Sequence, residues 1–354
     1  MDRNQVAAAF RTQADWCQEL GSPLYFDLMG RIANDVDRGG LCWTVLEPHA
    51  ALNVLALRFL GGIHRRVLDG RAPGLARYYP SVGGSTESEP LWRAFLDALH
   101  QDADALRANP PPVVQTNEVS RCLGLLPGLV AVRRATALPF RLLEIGASGG
   151  LNLRWDHYRF ATEGGMWGDP NSPVRFEAPF HLGLLPEMPQ VAMRTGCDLH
   201  PVDISSEPGQ LTLLSFLWPD QTARLELLRR AIQVANRVPA TVEQAQAVDW
   251  IERQLARPVP GTVTVVYHSI VTMYLDDVQR ARFAEIMAES GKRATFDAPL
   301  AWLSMERATQ KSAEGKGEAD TSVELTLWPG GQRRHIASAG FHGQNVRVHD
   351  FPWN

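Results

Sequence analysis

Residues 141–152, RLLEIGASGGLN, place an acid and a glycine-rich turn at the end of an apolar run. The run predicts a buried strand with Glu144 near its end, and a helix is expected to begin at Leu151. Small residues at such a turn let backbone atoms approach a ligand at the carboxyl end of a parallel strand. Two chemistries use this arrangement: the binding of a nucleoside cofactor and the hydrolysis of an ester by a serine nucleophile.

A nucleoside-cofactor pocket in a parallel sheet has three requirements. Backbone must come close at the first turn, an acid after the second strand must accept hydrogen bonds from ribose, and a further group must recognise the base. The residues that meet these requirements are Gly146, Ser148, Gly149 and Gly150 at the turn, Asp198 after the second predicted strand, and Gln246 and Ala247 after the third.

The spacing of the glycines distinguishes between cofactors. A dinucleotide-binding turn reads G-x-G-x-x-G and sets a pyrophosphate on a helix N-terminus. Counted from Gly146, Ser148 and Leu151 stand at the second and third glycine positions, so this pattern fails twice. The stretch instead resembles E-x-G-x-G-x-G, the first motif of class I S-adenosylmethionine-dependent methyltransferases, with Ser148 replacing the middle glycine. The resemblance implies S-adenosylmethionine or S-adenosylhomocysteine as the ligand, with Glu144 near its amino group.

The elements around this turn form two successive patterns. Residues 1–138 show apolar residues at helical spacing, whereas strands alternate with helices from Pro139 onward. The uninterrupted apolar run at 262–270 is typical of a central parallel strand buried on both faces. The sequence therefore predicts a helical N-terminal cap domain over 1–138, followed by a doubly wound α/β Rossmann-like sheet over 139–354.

Two segments stand apart from this repeat. Residues 157–180 lie where a crossover helix should lead to the second strand, and they indicate an inserted hairpin or flap. The polar stretch 307–320 is typical of a mobile loop after the fifth strand. The helix before the first strand is expected to be capped by Thr116 or Asn117.

Composition excludes several classes of function. The 354 residues carry a net charge of −4, so no surface for nucleic acid is expected. The four cysteines are scattered, and no Cys/His cluster has the spacing of a metal site. No run approaches the ~18 apolar residues of a membrane span, and the N-terminus lacks the pattern of a signal peptide. We expect a cytoplasmic protein that acts on a small-molecule or protein acceptor, in an oligomeric state that the sequence does not specify.

The chain as a whole is similar to a bacterial family of uncharacterised proteins with a helical N-terminal part and a methyltransferase-like Rossmann domain. The resemblance covers nearly the full length and implies a fold and a cofactor site, but no substrate. One departure concerns Gln246, since many methyltransferases place Asp there. The matching segments are SPLYFDLM (22–29), YYPSVGG (78–84), QTNEVSR (115–121), LLEIGASGGLNL (142–153), GCDLHPVD (196–203), WPDQTARLELLRRAI (218–232), HSIVTMYL (268–275) and PLAWLSMER (299–307).

Methyl transfer from a sulfonium is an in-line displacement that needs alignment and a base for the acceptor. Candidates for the base or for substrate contacts follow the fourth strand, begin the helix before the first strand, or lie near the flap. Each has a structural alternative: a hydrogen-bonded core histidine, a surface ion pair, or aromatic packing. The candidates for the base are His268, Tyr274, Glu118 and Arg121, and those for substrate contacts are Asn117 and Trp155; His268 and Ser269 are also expected to bind the cofactor.

Two other classes of function remain open from the sequence. The turn also fits G-x-S-x-G, the nucleophile elbow of serine hydrolases, with Ser148 as nucleophile. Asp297 followed by His335, His342 or His349 would complete a triad in the right chain order. A non-catalytic or degenerate S-adenosylmethionine-binding protein is the other alternative, because a fold does not determine a function.

Overall fold

The computed structural model describes residues 1–183, 186–308 and 321–349. In chain order the α-helices are α1 (Arg3–Glu19), α2 (Pro23–Asp37), α3 (Leu41–Leu46), α4 (Leu55–Leu68), α5 (Pro73–Ala76), α6 (Ser88–Ala108), α7 (Arg121–Ala135), α8 (Glu207–Ser215), α9 (Thr222–Ala235), α10 (Ala247–Gln254) and α11 (Asp277–Lys292). The strands are β1 (Phe140–Ile145), β2 (Arg159–Thr162), β3 (Gly165–Gly168), β4 (Arg175–Ala178), β5 (Val191–Asp198), β6 (Thr241–Gln244), β7 (Val263–Ser269), β8 (Leu300–Arg307), β9 (Thr321–Trp328), β10 (Gln332–Ala339) and β11 (Arg347–Val348).

The chain divides into two compact units. The first comprises Met1–Thr116 and Ser205–Arg229, and the second comprises Asn117–Ile204 and Arg230–Asn354. Helix α7 is therefore counted with the second unit, although it precedes residue 138. The expected domain boundary at 138 stays a prediction, because compactness does not test whether either part folds alone.

The first unit is helical, as the apolar spacing predicts. Leu24, Leu28 and Ile32 are fully or almost fully buried on one side of α2. Ser22 caps this helix by accepting a hydrogen bond from the Tyr25 N–H. The Asp220 carboxylate accepts hydrogen bonds from the Ser22 hydroxyl at 2.7 Å and the Leu24 N–H at 2.9 Å, and so joins the start of α2 to the segment before α9.

The second unit is built on a mixed sheet that is mostly parallel where the predicted site lies. Among the described residues its strand order is β11-β10-β9-β8-β7-β1-β5-β6. Strands β6, β5, β1, β7 and β8 pair in parallel, whereas β8, β9, β10 and β11 pair antiparallel. Strands β9 and β10 form an antiparallel pair after the parallel part of the sheet. Because the chain goes from β1 to β5 and β6 and then returns to β7 on its other side, the sheet has a topological switch point between β1 and β7.

The crossover from β1 to β5 begins with a helix at Leu151, as predicted, but this helix is of the 3₁₀ type. Residues Leu151–His157 form 3₁₀ turns that are interrupted at Arg154, whose φ is −110°. All five residues from Leu151 to Trp155 are buried. A helix in contact with a sheet buries one stripe, so a stretch buried on every side does not form a regular surface helix. Strands β2, β3 and β4 form a separate sheet of three strands within residues 159–178, and the inserted flap at 157–180 stays a prediction.

Helix α7 packs closely on the sheet through glycines. A Cβ atom at Gly124 would lie 2.7 Å from the Met305 sulfur, and one at Gly128 would overlap the Leu303 side chain. The helix begins at Arg121 after Ser120, so the prediction that Thr116 or Asn117 caps it was wrong. The Asn117 side chain instead bonds to the turn after β1, as described below. The close approach of α7 brings its first residues to the carboxyl edge of β7 and β8.

Part of the predicted loop at 307–320 lies outside the described residues. No helix in the described ranges is long and apolar enough to cross a membrane.

Candidate functional site

The turn after β1 adopts the left-handed backbone conformation that its small residues suggest. The φ angles of Gly146, Ser148 and Gly150 are +67°, +51° and +68°. A Cβ atom at Gly146 would lie 2.6 Å from a methyl carbon of Val271. Glycine is therefore required at 146 both by the backbone angle and by the loop that packs on it.

Asp198 is bound to this turn, so the structure brings the two predicted parts of the cofactor site together. One carboxylate oxygen of Asp198 accepts the Ser148 N–H at 2.9 Å, and the other accepts the His200 N–H at 2.9 Å. The backbone oxygen of Asp198 accepts the Ala245 N–H at 3.0 Å. Gln246, one residue further, is exposed and precedes α10. These hydrogen bonds connect the carboxyl ends of β1, β5 and β6 at one edge of the sheet.

Glu144 lies at the same edge and is 3% exposed. Its Oε2 atom has no hydrogen-bond partner among the described residues. Burial raises the pKa of Glu144 well above its ordinary value, Arg154 opposes that rise, and Asp198 adds to it. A buried carboxyl with an unsatisfied oxygen is a group that a cationic ligand could pair with.

Glu144→Gln is expected to flatten the pH dependence of stability above pH 5. Because burial raises the folded-state pKa of Glu144, its stabilising contribution is present below the unfolded-state pKa and is lost as pH rises through the folded value. The neutral amide removes this loss, so we expect the variant to equal or exceed the wild type by about 1–3 kcal/mol at pH 8. Urea unfolding at pH 5 and pH 8 measures the effect. Glu285→Gln, on an exposed side chain of α11, is the control, and equal slopes for all three proteins would contradict the prediction.

Arg154, which the sequence analysis did not single out, holds the turn after β1 through side-chain hydrogen bonds. Its guanidinium donates to the backbone oxygen of Gly150 at 2.6 Å and to that of Val238 at 3.0 Å. Asn152, also missed, donates to the backbone oxygen of Glu118 at 3.3 Å. Both side chains follow the glycine turn within four residues, but only the buried 3₁₀ path turns them inward. The turn is therefore held by fixed hydrogen bonds on more than one side.

The segment before α7 contacts the turn after β1. The Asn117 side-chain oxygen accepts the Leu151 N–H at 2.9 Å. Glu118 is 3% exposed, and one of its carboxylate oxygens accepts the Ser120 N–H at 3.2 Å. Arg121, 9% exposed, donates to the backbone oxygens of Ser269 and Phe341 at 3.2 Å each. The alternative of a surface ion pair between Glu118 and Arg121 does not describe these buried side chains.

His268 is held at the end of β7 with both ring nitrogens engaged. Trp302 donates its indole N–H to Nε2 at 3.0 Å, and Glu306 lies 2.6 Å from Nδ1. Because an indole can only donate, Nε2 accepts and Nδ1 carries the hydrogen that Glu306 receives. The lone pair with which His268 would act as a base is thus occupied by Trp302. Glu306 and Trp302 lie on β8, within a segment that the sequence pattern marked without assigning them a role.

Glu306 also organises the loop that follows β7. It accepts the Val271 N–H at 2.9 Å and both the N–H and hydroxyl of Thr272, at 3.2 and 2.7 Å. Burial alone would raise the pKa of Glu306, but these bonds and the one from His268 outweigh burial and lower it. Ile270, in the same loop, has a φ of +57°, which is strained for a β-branched residue. Such strain persists where surrounding contacts over-determine a segment, as they do here.

Tyr274 and Trp155 occupy contrasting positions. Tyr274 is 62% exposed. Partial desolvation raises the pKa of its hydroxyl, the charge of Arg121 lowers it, and that of Asp198 raises it. Trp155 is buried and stacks on Trp167 of the flap with ring centroids 5.3 Å apart, so it belongs to the packing between turn and flap.

The residues of the hydrolase triad are not brought together. Ser148 follows the carboxyl end of β1, whereas Asp297 precedes β8 and its backbone oxygen accepts the Gly261 N–H at the amino end of β7. The length of β8 separates the two, roughly 25 Å at the usual rise per residue. The rings of His335 and His349 lie 4.4 Å apart beside β10, four strands from β1, and His342 packs on Phe341.

Ser148→Gly is expected to leave the folded site intact. Glycine adopts a φ of +51° without strain, so the change in the free energy of unfolding should stay within about 1 kcal/mol. Ligand binding at the turn should be retained within about threefold, because the Ser148 N–H that Asp198 accepts is unchanged. Isothermal titration and urea unfolding measure both quantities. If the folded variant loses an ester-hydrolysing activity that the wild type has, the result would favour the serine hydrolase instead.

The fold and the site define the class: a mixed α/β protein whose large sheet carries a glycine turn after β1 and an acid at the end of the neighbouring strand β5. Residues 7–347 match the family described as "Uncharacterized protein conserved in bacteria (DUF2332)", and the chain belongs to that family. The comparison with curated proteins finds no match.

Proposed function

We propose that the protein binds S-adenosylmethionine at the carboxyl edge of β1 and β5 and transfers its methyl group to a small-molecule or protein acceptor. The observation that carries the proposal is the 2.9 Å hydrogen bond between the Ser148 N–H and the Asp198 carboxylate. It joins the glycine turn after β1 to the predicted ribose acid of β5, beside the switch point between β1 and β7, and ligands bind at such switch points in open α/β sheets. The strand order β6-β5-β1-β7-β8 supports a methyltransferase-like Rossmann arrangement.

The residues at this edge fit a nucleoside cofactor without phosphates. Each oxygen of a carboxylate can accept a second donor, so Asp198 can receive ribose hydroxyls beside its backbone partners. Glu144 has a buried oxygen without a described partner for an amino group. The 3₁₀ turns after Gly150 supply no long helix whose N-terminus would receive a pyrophosphate. Gln246 and Ala247 lie after β6, beside which the base would be placed.

The chemistry that S-adenosylmethionine supplies when bound is an activated methyl group on a sulfonium. The chain's own contribution is to orient and enclose it. Arg154 and Asn117 hold the turn, and Val271 covers Gly146 from the loop after β7. The exposed hydroxyl of Tyr274, whose pKa responds to Arg121 and Asp198, is the group that we propose contacts the acceptor. Alignment of this kind supplies much of the rate enhancement in a displacement.

A non-catalytic S-adenosylmethionine-binding protein is the second candidate. This candidate is favoured by the hydrogen bond from the Trp302 N–H to His268 Nε2, because that bond occupies the lone pair with which the imidazole would act as a base. Such a protein would bind the cofactor and its demethylated product without turnover. The two candidates share the pocket and differ only in the acceptor step.

Calorimetric titration of the full chain with S-adenosylmethionine and S-adenosylhomocysteine tests the proposal. We expect saturable binding of one ligand per chain for both compounds, and much weaker binding of NAD⁺, whose pyrophosphate has no helix N-terminus to receive it. No binding of either compound at millimolar concentration would contradict the cofactor assignment. Tighter binding of NAD⁺ would replace it with a dinucleotide. Binding without methyl transfer to any acceptor in a broad screen would favour the second candidate.

A further inference from the structure

The first unit contains a buried serine–histidine pair that the proposed function does not use. His64 of α4 is fully buried, and its Nε2 lies 2.8 Å from the hydroxyl oxygen of Ser81. Its Nδ1 lies 3.2 Å from the backbone oxygen of Ser215 at the end of α8. A carbonyl can only accept, so Nδ1 carries the hydrogen and Nε2 bears the lone pair. The Ser81 hydroxyl therefore donates to a histidine whose orientation a third group sets.

Ser81 borders an open cleft of about 370 Å³. Leu225, Glu226 and Arg229 of α9 also line this cleft. The Arg229 guanidinium lies 3.4 Å from the backbone oxygen of Ser81. The serine thus shares with a guanidinium and a carboxylate a space large enough for a small organic molecule.

The turn that carries Ser81 is held rigidly. Pro80–Val82 form one 3₁₀ turn, and Gly83 follows with a φ of +86°. A Cβ atom at Gly84 would lie 2.5 Å from the backbone oxygen of Ala76, so this loop packs tightly on α5. The Tyr79 ring packs beside the His64 ring at 5.6 Å. These contacts fix the serine hydroxyl before any ligand binds, as a positioned nucleophile requires.

We propose that Ser81 and His64 form a nucleophile–base pair for acyl transfer, with a small ester bound in the cleft between Ser81 and α9. In the first step the Ser81 oxygen bonds to the ester carbonyl carbon while its proton moves to His64 Nε2. The negative charge on the carbonyl oxygen develops next to Arg229. The bond to the alcohol oxygen then breaks, and that oxygen leaves with the electron pair and takes the proton from Nε2.

Water completes the cycle. It attacks the acyl carbon and gives a proton to Nε2, which returns that proton to the Ser81 oxygen as the acyl bond breaks. The products are a carboxylic acid and an alcohol, and no atom changes its oxidation state. Burial lowers the pKa of His64 to about 4, while the backbone oxygens of Ser215 and Leu217 raise it and Arg229 lowers it further. The imidazole is consequently neutral at pH 7, the form in which Nε2 can take a proton.

Labelling of the full-length protein with a fluorophosphonate, followed by peptide mass spectrometry, tests this inference. We expect one label on Ser81 in the wild type and none there in Ser81→Ala. Ser85→Ala, an exposed serine in the same loop, is the matched control and should label as the wild type does. His64→Gln should slow labelling roughly 100-fold, the usual size of a general-base contribution.

The outcomes separate this site from the one at Ser148. An unlabelled but folded wild type would overturn the proposal, and so would equal labelling of Ser81→Ala and the wild type. A label on Ser148 instead would assign the nucleophile to the turn after β1. If His64→Gln does not fold, the comparison of Ser81→Ala with Ser85→Ala still decides. Neither result depends on S-adenosylmethionine binding, because the two sites share no residue.

Discussion

Asp198→Asn is expected to weaken S-adenosylmethionine binding by roughly 100-fold or more. The two carboxylate oxygens of Asp198 each accept a backbone N–H, from Ser148 and His200. Asparagine replaces one oxygen by an NH₂ group, which faces a donor and removes the charged acceptor for ribose. Hydrogen bonds to charged groups contribute about 1.5–3 kcal/mol each, and 1.4 kcal/mol is a factor of ten in affinity.

Calorimetric titration measures this loss, after thermal unfolding has shown that the variant is folded. Asp277→Asn is the matched control, because it removes the same charge from a side chain that is 96% exposed on α11. The control should bind as the wild type does. Unchanged affinity in a folded Asp198→Asn protein would show that Asp198 serves only to hold the turn.

Glu306→Gln is expected to give the largest loss of stability at the edge of β7 and β8. Glu306 accepts bonds from His268, Val271 and Thr272, and an amide cannot accept all of them because its NH₂ group donates. We expect the free energy of unfolding at pH 7 to fall by about 3 kcal/mol. The strained Ile270 loop should also lose order, since these bonds hold it.

The pH dependence of this variant has the opposite sign to that of Glu144→Gln. Because hydrogen bonds lower the folded-state pKa of Glu306, its contribution is present above the unfolded-state pKa and is lost as pH falls through the folded value. The difference between wild type and variant should therefore shrink as pH is taken from 7 to 3. Urea midpoints at four pH values measure it, with Glu285→Gln as the exposed control. A difference that stays constant down to pH 3 would show that the effect is steric.

Much of the second unit could be predicted because its strands carry their pattern locally. The apolar run at 262–270 forms β7, buried along almost its whole length, and the antiparallel pair near the C-terminus is β9 and β10. The glycine turn was also readable, since positive φ angles favour small residues. The helix expected at Leu151 is present as a 3₁₀-helix whose first five residues are all buried, and the sequence did not indicate its type.

The site could be predicted only in part, for a related reason. Asp198 and the turn after β1 were placed together because parallel strands bring their carboxyl ends to one edge. The hydrogen bonds of His268 and Arg121 could not be predicted from the sequence. Their partners, Trp302 and Phe341, are distant in the chain, and hydrogen bonds between distant residues leave no periodic signal.

The sequence by itself determined the alternation of strands and helices, the left-handed turn after β1 and the order in which the candidate ligand groups follow the strands. These depend on backbone sterics and on apolar periodicity, which act over a few residues. Only the tertiary structure decided which of these side chains can still bind a ligand or take up a proton. Packing occupies the lone pair of His268, buries Glu144 without a described partner for one oxygen, and joins Ser81 to His64 across 17 residues of chain. Proton donors and acceptors are assigned by contacts in space, and those contacts exist only once the elements have packed.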